Sequence, residues 1–240
     1  MESKVMWEKL SLIIPVLNEE KNIYLLTKKI ILNIKKIKYE IIFVDDNSTD
    51  NTKKKLRELK KKYRFFKPIF RNKKRDLTQS CFDGIKKSKY NNILIMDGDL
   101  QHNPKYINKM YKIFNTGNYD FVIGSRNLLS GKNKGLSESR RFASIILIYL
   151  FRIFKIKTND PMSGFFIFKK KIFFDNKDHL YGRGFKILAD LLVNSKQRLR
   201  TKDISINFDR RYNSTSKMNI FILLILILFY LRSIIKKILI

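Results

Sequence analysis

Short apolar runs alternate with segments whose apolar residues recur every three or four positions through the first half of the chain. Runs that are almost wholly apolar are typical of strands in a parallel sheet, and the longer spacing is typical of helices. The pattern predicts strands at 11–17, within 39–50, and at 65–72, 92–96 and 119–126. It predicts helices at 20–36, 52–63, 76–88 and from Pro104 to about Phe114. This alternation indicates an α/β fold with a mostly parallel central sheet flanked by helices.

The second half of the chain has a different pattern. It predicts a long apolar helix that carries arginines, a loop and strand, another helix and a last strand, at 138–157, 160–168, 184–196 and 199–208. An apolar tail follows at 220–240.

The tail contains the unbroken apolar run 220–231, which is then interrupted by Arg232, Lys236 and Lys237. As a helix this run would span about 18 Å, against about 30 Å of bilayer hydrocarbon. We expect an amphipathic helix that lies in or dips into the membrane interface. A short spanning helix is the second interpretation, and a buried core helix is the third.

The chain is strongly basic, with 51 Lys and Arg against 21 Asp and Glu and a formal net charge of +30. Such a charge favours polyanionic partners: nucleic acid, anionic lipid or phosphorylated substrates. The alternative is a composition bias, because Lys, Ile and Asn are frequent along the whole chain and many lysines would then lie on solvated faces. A membrane surface would use this charge, since each basic residue near an anionic leaflet contributes about 1 kcal/mol.

Cysteine and histidine are too few for the usual transition-metal sites. One Cys and two His exclude a disulfide framework and make a Cys- or His-based zinc site improbable, so any metal would be a hard cation held by carboxylates. The first sixteen residues contain no long apolar stretch. We therefore expect no secretory signal and a location at the cytoplasmic face of a membrane.

Asp97 and Asp99 follow the predicted fourth strand, separated by Gly98, and Asn103-Pro104 then begins a helix. Side chains two residues apart at a strand end point the same way, so both carboxylates could hold one cation, and Gly98 would let a ligand approach the backbone. Two carboxylates with phosphate oxygens are a common shell for Mg²⁺ or Mn²⁺. The alternative is a surface turn, where Asp and Gly are also common.

Other polar groups also follow predicted strands. Asp45 and Asp46 end the second strand, and Arg126 ends the fifth. Ligands of open α/β sheets bind beyond the carboxyl ends of the strands. The sequence therefore predicts a polar site at this edge of the sheet.

Five segments in order resemble a known family: IIPVLNEEKNI, VDDNSTDNT, MDGDLQHNP, GSR and DPMSGF, at 13–23, 44–52, 96–104, 124–126 and 160–165. Together they resemble the dolichyl-phosphate mannosyltransferase and polyprenyl-phosphate glycosyltransferase group of inverting GT-A glycosyltransferases. A late pattern of that group matches Phe208, Arg211, Ser216 and Lys217, with Ser214 in place of Gly. The resemblance covers about 10–217 and implies a GT-A catalytic domain at 1–210, with a closing loop and membrane-associating tail at 211–240.

The resemblance implies roles for individual residues. Asp97, Asp99 and Gln101 would hold Mg²⁺ or Mn²⁺ on the donor diphosphate, and Arg126 and Arg140 would bind the acceptor phosphate. The residues implied to bind the donor are Pro15, Leu17 and Glu19 in the pocket wall, Val44 and Asp46 at the base and ribose, Gly98 in the metal motif, and Arg211 and Lys217 over the diphosphate.

Two departures from the family pattern concern loops. Many members have a glycine-rich stretch after the third strand, whereas this chain has RNKKRDLTQS at 71–80. Ser214 replaces a glycine near Lys217 and would stiffen that loop. At Asp190, where relatives often have Glu, the first interpretation is an acid on a helix surface and the second is a residue that faces the acceptor.

The implied reaction transfers a sugar, first of all mannose from GDP-mannose, to a dolichyl or other polyprenyl phosphate with inversion. A lipid phosphate is already ionised near neutral pH, so this acceptor needs no general base. The first alternative is transfer of glucose or another sugar from a UDP-sugar to undecaprenyl phosphate. The sequence leaves open a homo-oligomer and a membrane-subunit partner. A basic nucleic-acid-binding protein is an alternative of another class, but acids at strand ends would repel a polyanion, and we expect no nucleic acid as a partner.

Overall fold

The computed structural model describes residues 9–126, 151–152, 154, 156–184, 187–208, 230 and 232–233. Most of the predicted helix at 138–157 and most of the tail lie outside these residues. The described strands are β1 (Lys9–Val16), β2 (Lys38–Asp45), β3 (Ile69–Phe70), β4 (Asn92–Ile95), β5 (Phe121–Arg126), β6 (Phe166–Lys169) and β7 (Thr201–Ile206). The described α-helices are α1 (Ile23–Asn33), α2 (Thr52–Lys62), α3 (Leu77–Lys87), α4 (Ile107–Thr116), α5 (Lys170–Asn176) and α6 (Ile187–Asn194).

The strands form one sheet in the order β3-β2-β1-β4-β6-β5-β7. β1, β2, β3 and β4 pair in parallel, and so do β5 and β7. β6 lies between β4 and β5 and is antiparallel to both. The predicted mostly parallel α/β sheet is confirmed. The carboxyl ends of β1, β2, β4 and β5 therefore lie at one edge, and β6 begins there.

Two apolar layers cover the sheet because successive strand residues face opposite sides. Leu12 and Ile14 of β1 pack with helices α1, α2 and α4 on one face. Ile13 packs with α3, α5 and α6 on the other face. The parallel strands are buried on both faces, which explains their nearly continuous apolar sequences.

The structure differs from the predicted elements at three places. The strand predicted at 65–72 is reduced to Ile69–Phe70 and one bridge from Phe66 to Ile41, because Pro68 has no N–H to donate to a ladder. The helix predicted from Pro104 starts as a single 3₁₀ turn before α4. Helix α5 was not predicted, because its apolar residues continue directly from β6.

Among the helices in the described ranges, none combines the length and the apolar content that crossing a membrane requires.

Gly84 sets how closely α3 approaches the sheet. A Cβ at this position would lie 2.5 Å from Cγ2 of Ile13 and 3.2 Å from Cγ2 of Val44. Both side chains are fully buried, so they have little room to move. The close packing of α3 matters for function because its first turn lies at the edge where β2 ends.

We predict that Gly84→Ala destabilises the fold by about 1–2 kcal/mol, although alanine is the better helix former, because the added methyl overpacks the core. Urea unfolding measures the change. Lys86→Ala, an exposed site on the same helix, should stay within about 0.5 kcal/mol of the parent. Equal stability of the parent and Gly84→Ala would contradict the packing described here.

Candidate active site

Asp97 lies two residues beyond β4, where the chain leaves the sheet. Its side chain is 36% exposed. Gly164, just before β6, packs against this carboxylate so closely that a Cβ there would lie 2.7 Å from Cγ of Asp97. The glycine therefore leaves room that any other side chain would fill. Gly98 packs in the same way against Val16 at the end of β1.

Asp99 and Gln101 are both buried beside this position. The backbone N–H of Gln101 donates to Oδ1 of Asp99 at 3.1 Å. Leu100 between them has a φ of 66°, in the left-handed region that non-glycine residues rarely adopt. Such a conformation persists only where the surroundings impose it, and it often occurs at functional sites.

The available ligands are hard oxygens: two carboxylates and one side-chain amide. Across the residues that the structure describes, no group of three or more His, Cys, Asp or Glu is placed to hold a metal. A cation at Asp97 and Asp99 would therefore have to complete its shell with ligand oxygens or water. The predicted metal role of Asp97, Asp99 and Gln101 stays a prediction.

Asp46 is the centre of a buried polar network. It forms an ion pair with Arg71, and its Oδ2 accepts from the N–H of Asp76 at 2.7 Å. Arg71 also donates to Asp83 at 2.9 Å and to Ser80 Oγ at 3.1 Å. Burial raises the pKa of Asp46 above its ordinary value, whereas Arg71, the Asp76 amide and Ser80 oppose that rise.

The loop after β3 connects this network to a second loop. Asp76 caps α3 by accepting from the N–H of Gln79 at 3.0 Å, and its other oxygen accepts from the N–H of Gly184 at 2.8 Å. Thr78 donates to the Gly184 carbonyl through its N–H and its hydroxyl, both at 2.9 Å. The departure from the glycine-rich family pattern thus introduces side chains that hold residues 182–184 against α3.

Asp190 supports the same loop from α6. It accepts from the N–H groups of Tyr181 and Gly182 at 2.9 and 2.7 Å, and from Asn194 at 2.7 Å. Asp190 is buried, so the expectation of a helix-surface acid is wrong. Burial raises its pKa, and these hydrogen bonds and the charge of Arg232 act in the opposite direction.

The other residues predicted to bind the donor lie along β1 and β2. Pro15 is buried within β1 and pairs with Val44 of β2. Val44 is fully buried, and its side chain faces α3, so a contact with the base or ribose would have to use its backbone. Leu17 directly follows β1, and Glu19 accepts from Asn22 at 2.6 Å. Their roles stay predictions.

Arg126 ends β5 and is held by a buried acid. Its Nε and Nη2 donate to the two carboxylate oxygens of Asp160, each at 2.7 Å, and its backbone N–H donates to the same group at 3.0 Å. Asp160 is fully buried. This bidentate geometry fixes the plane and the position of the guanidinium.

The buried ring of His102 joins the Asp97 turn to the end of β7. Its Nδ1 accepts a long hydrogen bond from the N–H of Asp97 at 3.4 Å and lies 3.6 Å from Oδ2 of Asp97. The ring stacks on Phe165 at 5.3 Å and meets Phe208 at 5.4 Å. The guanidinium carbon of Arg126 lies 5.4 Å from the centre of the Phe208 ring, so Phe208 contacts both His102 and Arg126.

Three of the predicted site residues cannot be placed. Arg140, Arg211 and Lys217 lie outside the described residues. No role was predicted from the sequence for Arg71, Asp160 and His102. Signals for them existed, since Arg71 follows a strand and the other two lie in the DPMSGF and DGDLQH segments.

Comparisons with known proteins give a consistent result. Residues 11–175 match the family model described as glycosyl transferase family 2. The chain is 34% identical over 88% of its length to a dolichol-phosphate mannosyltransferase of Pyrococcus furiosus, and 32% identical over 75% to one of Mycosarcoma maydis. It spans only 59% and 61% of those two proteins.

Solved structures extend the comparison to the fold. The chain is similar to glucosyl-3-phosphoglycerate synthase from Mycobacterium tuberculosis in complex with Mn²⁺, UDP-glucose and glycerol 3-phosphate. The TM-score is 0.68 at 15% identity, over 87% of this chain and 73% of that one. At this identity the likeness shows a shared GT-A fold.

We predict that Arg71→Met costs about 3 kcal/mol of stability near neutral pH, because it leaves Asp46 buried without its cation. Loss of Arg71 raises the pKa of Asp46 in the folded state further. When the pKa of a carboxyl is higher in the folded than in the unfolded state, the fold becomes less stable as pH rises above the pKa of the unfolded state. The cost should therefore be smaller near about pH 5 than near about pH 7.

Urea unfolding of the parent and the variant at both pH values measures this difference. Arg57→Met is the matched control, since Arg57 is an exposed arginine on α2 that lies over Phe70. A cost that does not depend on pH, or one equal to that of the control, would contradict the role of Arg71.

Proposed function

We propose that this chain, which belongs to glycosyl transferase family 2, transfers a sugar from a nucleotide sugar to a polyprenyl phosphate. The observation that carries the proposal is the position of Asp97 and Arg126 just after β4 and at the end of β5, on either side of β6. They lie close enough that, against the effect of burial and together with Asp160, the charge of Asp97 raises the pKa of Arg126. One supplies a partly exposed carboxylate and the other a guanidinium fixed by Asp160. The identity of 34% to a dolichol-phosphate mannosyltransferase supports a lipid phosphate as acceptor.

For the donor we propose GDP-mannose first. The two named relatives above that act as dolichol-phosphate mannosyltransferases favour mannose. A UDP-sugar transferred to undecaprenyl phosphate is the second candidate, favoured by the fold shared with a synthase solved with UDP-glucose. Both donors carry the diphosphate that the site would have to neutralise.

For the cofactor we propose Mg²⁺ or Mn²⁺ on the donor diphosphate. The side chains present fit such a cation, because carboxylate and amide oxygens suit hard divalent cations and Gly164 has no side chain that would fill the space beside Asp97. Asp97 and Asp99 would be the ligands, with Gln101 beside them. When bound, the cation would neutralise the charge that develops on the departing nucleoside diphosphate.

For the acceptor we propose that Arg126 docks the lipid phosphate. Asp160 takes two N–H groups of the guanidinium, and a phosphate would accept from those that remain. The fixed plane suits phosphate recognition. A phosphate ionised near neutral pH attacks without a general base, and attack opposite the leaving group inverts the anomeric centre.

We also propose a location at the cytoplasmic face of a membrane. Residues 1–210 would form the catalytic domain, and 211–240 would form a loop that closes over the site and a tail that associates with the membrane. The apolar run at 220–231 and the net charge of +30 support it. Tyr230 packs against Phe151 and Phe154, and Arg232 lies over Tyr181, so part of the tail contacts the second half of the domain.

We predict that Asp99→Ala reduces sugar transfer at least about a hundredfold while leaving the fold intact, because it removes a carboxylate that would hold the cation. The assay incubates purified protein with Mg²⁺, a polyprenyl phosphate and a panel of radiolabelled nucleotide sugars, and counts label in the organic phase. Asp175→Ala, an exposed acid on α5, is the control and should transfer normally. Near-normal transfer by Asp99→Ala with added Mn²⁺ would contradict the metal role.

We predict that deleting 218–240 releases the protein from membranes, because it removes the apolar run that would enter the interface. Sedimentation with vesicles measures association, and circular dichroism checks that the remaining chain is folded. If the folded, shortened chain still sediments with vesicles, the tail is not the anchor.

A further inference from the structure

The ring of Phe208 contacts both halves of the proposed site. It lies 5.4 Å from the ring of His102, which holds the Asp97 turn, and 5.4 Å from the guanidinium carbon of Arg126. Asp97 belongs to the donor side and Arg126 to the acceptor side. Phe208 thus contacts the ring of His102 on one side and the guanidinium of Arg126 on the other.

The backbone holds Phe208 in this place. β7 pairs with β5 so that Ile206, its last residue, lies beside Arg126, and Phe208 follows two residues later. The N–H of Asn207 donates to the hydroxyl of Tyr106 at 3.1 Å, and Phe208 forms an isolated bridge with His102. The ring is therefore fixed from both the β5 and the β4 side of the sheet.

His102 transmits this position to Asp97. Its ring is 2% exposed and lies between Phe165 and Phe208. Its Nδ1 accepts from the N–H of Asp97, so a shift of the ring moves the turn that carries the carboxylate. Phe165 is held in turn, because its carbonyl accepts from the N–H of Gly124 in β5 at 2.8 Å.

Phe208 also limits where Arg126 can go. Asp160 fixes the edge of the guanidinium that carries Nε and Nη2, and the Phe208 ring contacts the group at 5.4 Å. An arginine held against an aromatic ring gains a moderate attraction and loses freedom to rotate away.

We propose that Phe208 is a positioning residue that sets Asp97 and Arg126 together, so that one side chain adjusts both donor-metal binding and acceptor-phosphate binding. This inference rests on the proposed function. It predicts a linked effect, because a purely structural role for Phe208 would lower stability without moving two separate affinities.

The test compares Phe208→Leu, which removes the ring, with Phe208→Tyr, which keeps it. We expect Phe208→Leu to weaken Mn²⁺ binding and to raise the KM for polyprenyl phosphate, each by about three- to tenfold, the size of a lost ring contact. Phe208→Tyr should stay within about twofold of the parent in both. Electron paramagnetic resonance of free Mn²⁺ in the presence of nucleoside diphosphate measures the affinity for Mn²⁺ without turnover.

Phe174→Leu is the matched control, because Phe174 also lies under a cation, Lys170, but belongs to the exposed surface of α5. It should change neither quantity. If Phe208→Leu changes only one quantity, or neither, or if Phe208→Tyr is as impaired as Phe208→Leu, the inference is wrong. A parent protein that neither binds Mn²⁺ nor transfers sugar would instead overturn the proposed function, and this inference with it.

Discussion

The site depends on the antiparallel insertion of β6 between β4 and β5. This four-residue strand separates β4, which Asp97 follows by two residues, from β5, which ends at Arg126. The loop before β6 supplies Asp160 to Arg126 and Gly164 to Asp97. The carboxylate and the guanidinium thus reach one edge on opposite sides of one short segment. A side chain in place of Gly164 would collide with the carboxylate of Asp97. A glycine is therefore required at this position for Asp97 to keep its place.

Charge at this edge is arranged in pairs. Arg126 has Asp160, and Arg71 has Asp46, each in a buried or nearly buried setting within a chain whose net charge is +30. Buried ion pairs contribute little net stability, because desolvation cancels much of their attraction, but breaking one is costly. Their value here is geometric, because each carboxylate fixes the position of the arginine that it binds. The network around Asp46 continues through Asp76 to the 182–184 loop and through Asp190 to α6.

The sequence allowed the alternation of strands and helices to be predicted, because parallel strands buried on both faces are almost wholly apolar. It also allowed Asp97 to be placed just beyond a strand and Arg126 at the end of one. It did not reveal that β6 runs antiparallel between β4 and β5, since strand order is set by contacts between residues far apart along the chain. For the same reason, the pairing of Arg126 with Asp160 and of Arg71 with Asp46 was not predicted. Asp190 was misassigned because its partners are backbone N–H groups of a loop, which leave no pattern in the sequence.

The proposed function requires that a donor-bound cation at Asp97 and an acceptor phosphate at Arg126 occupy neighbouring positions in one site. The most direct measurement is phosphorus NMR of a short-chain polyprenyl phosphate bound to the protein with nucleoside diphosphate, compared in Mg²⁺ and in paramagnetic Mn²⁺. We expect Mn²⁺ to broaden the acceptor phosphorus signal of the bound lipid strongly, because the unpaired electrons of the cation would lie close to that phosphorus. A bound lipid phosphate whose signal is the same in Mn²⁺ and Mg²⁺ would place the two groups apart and contradict the proposed site.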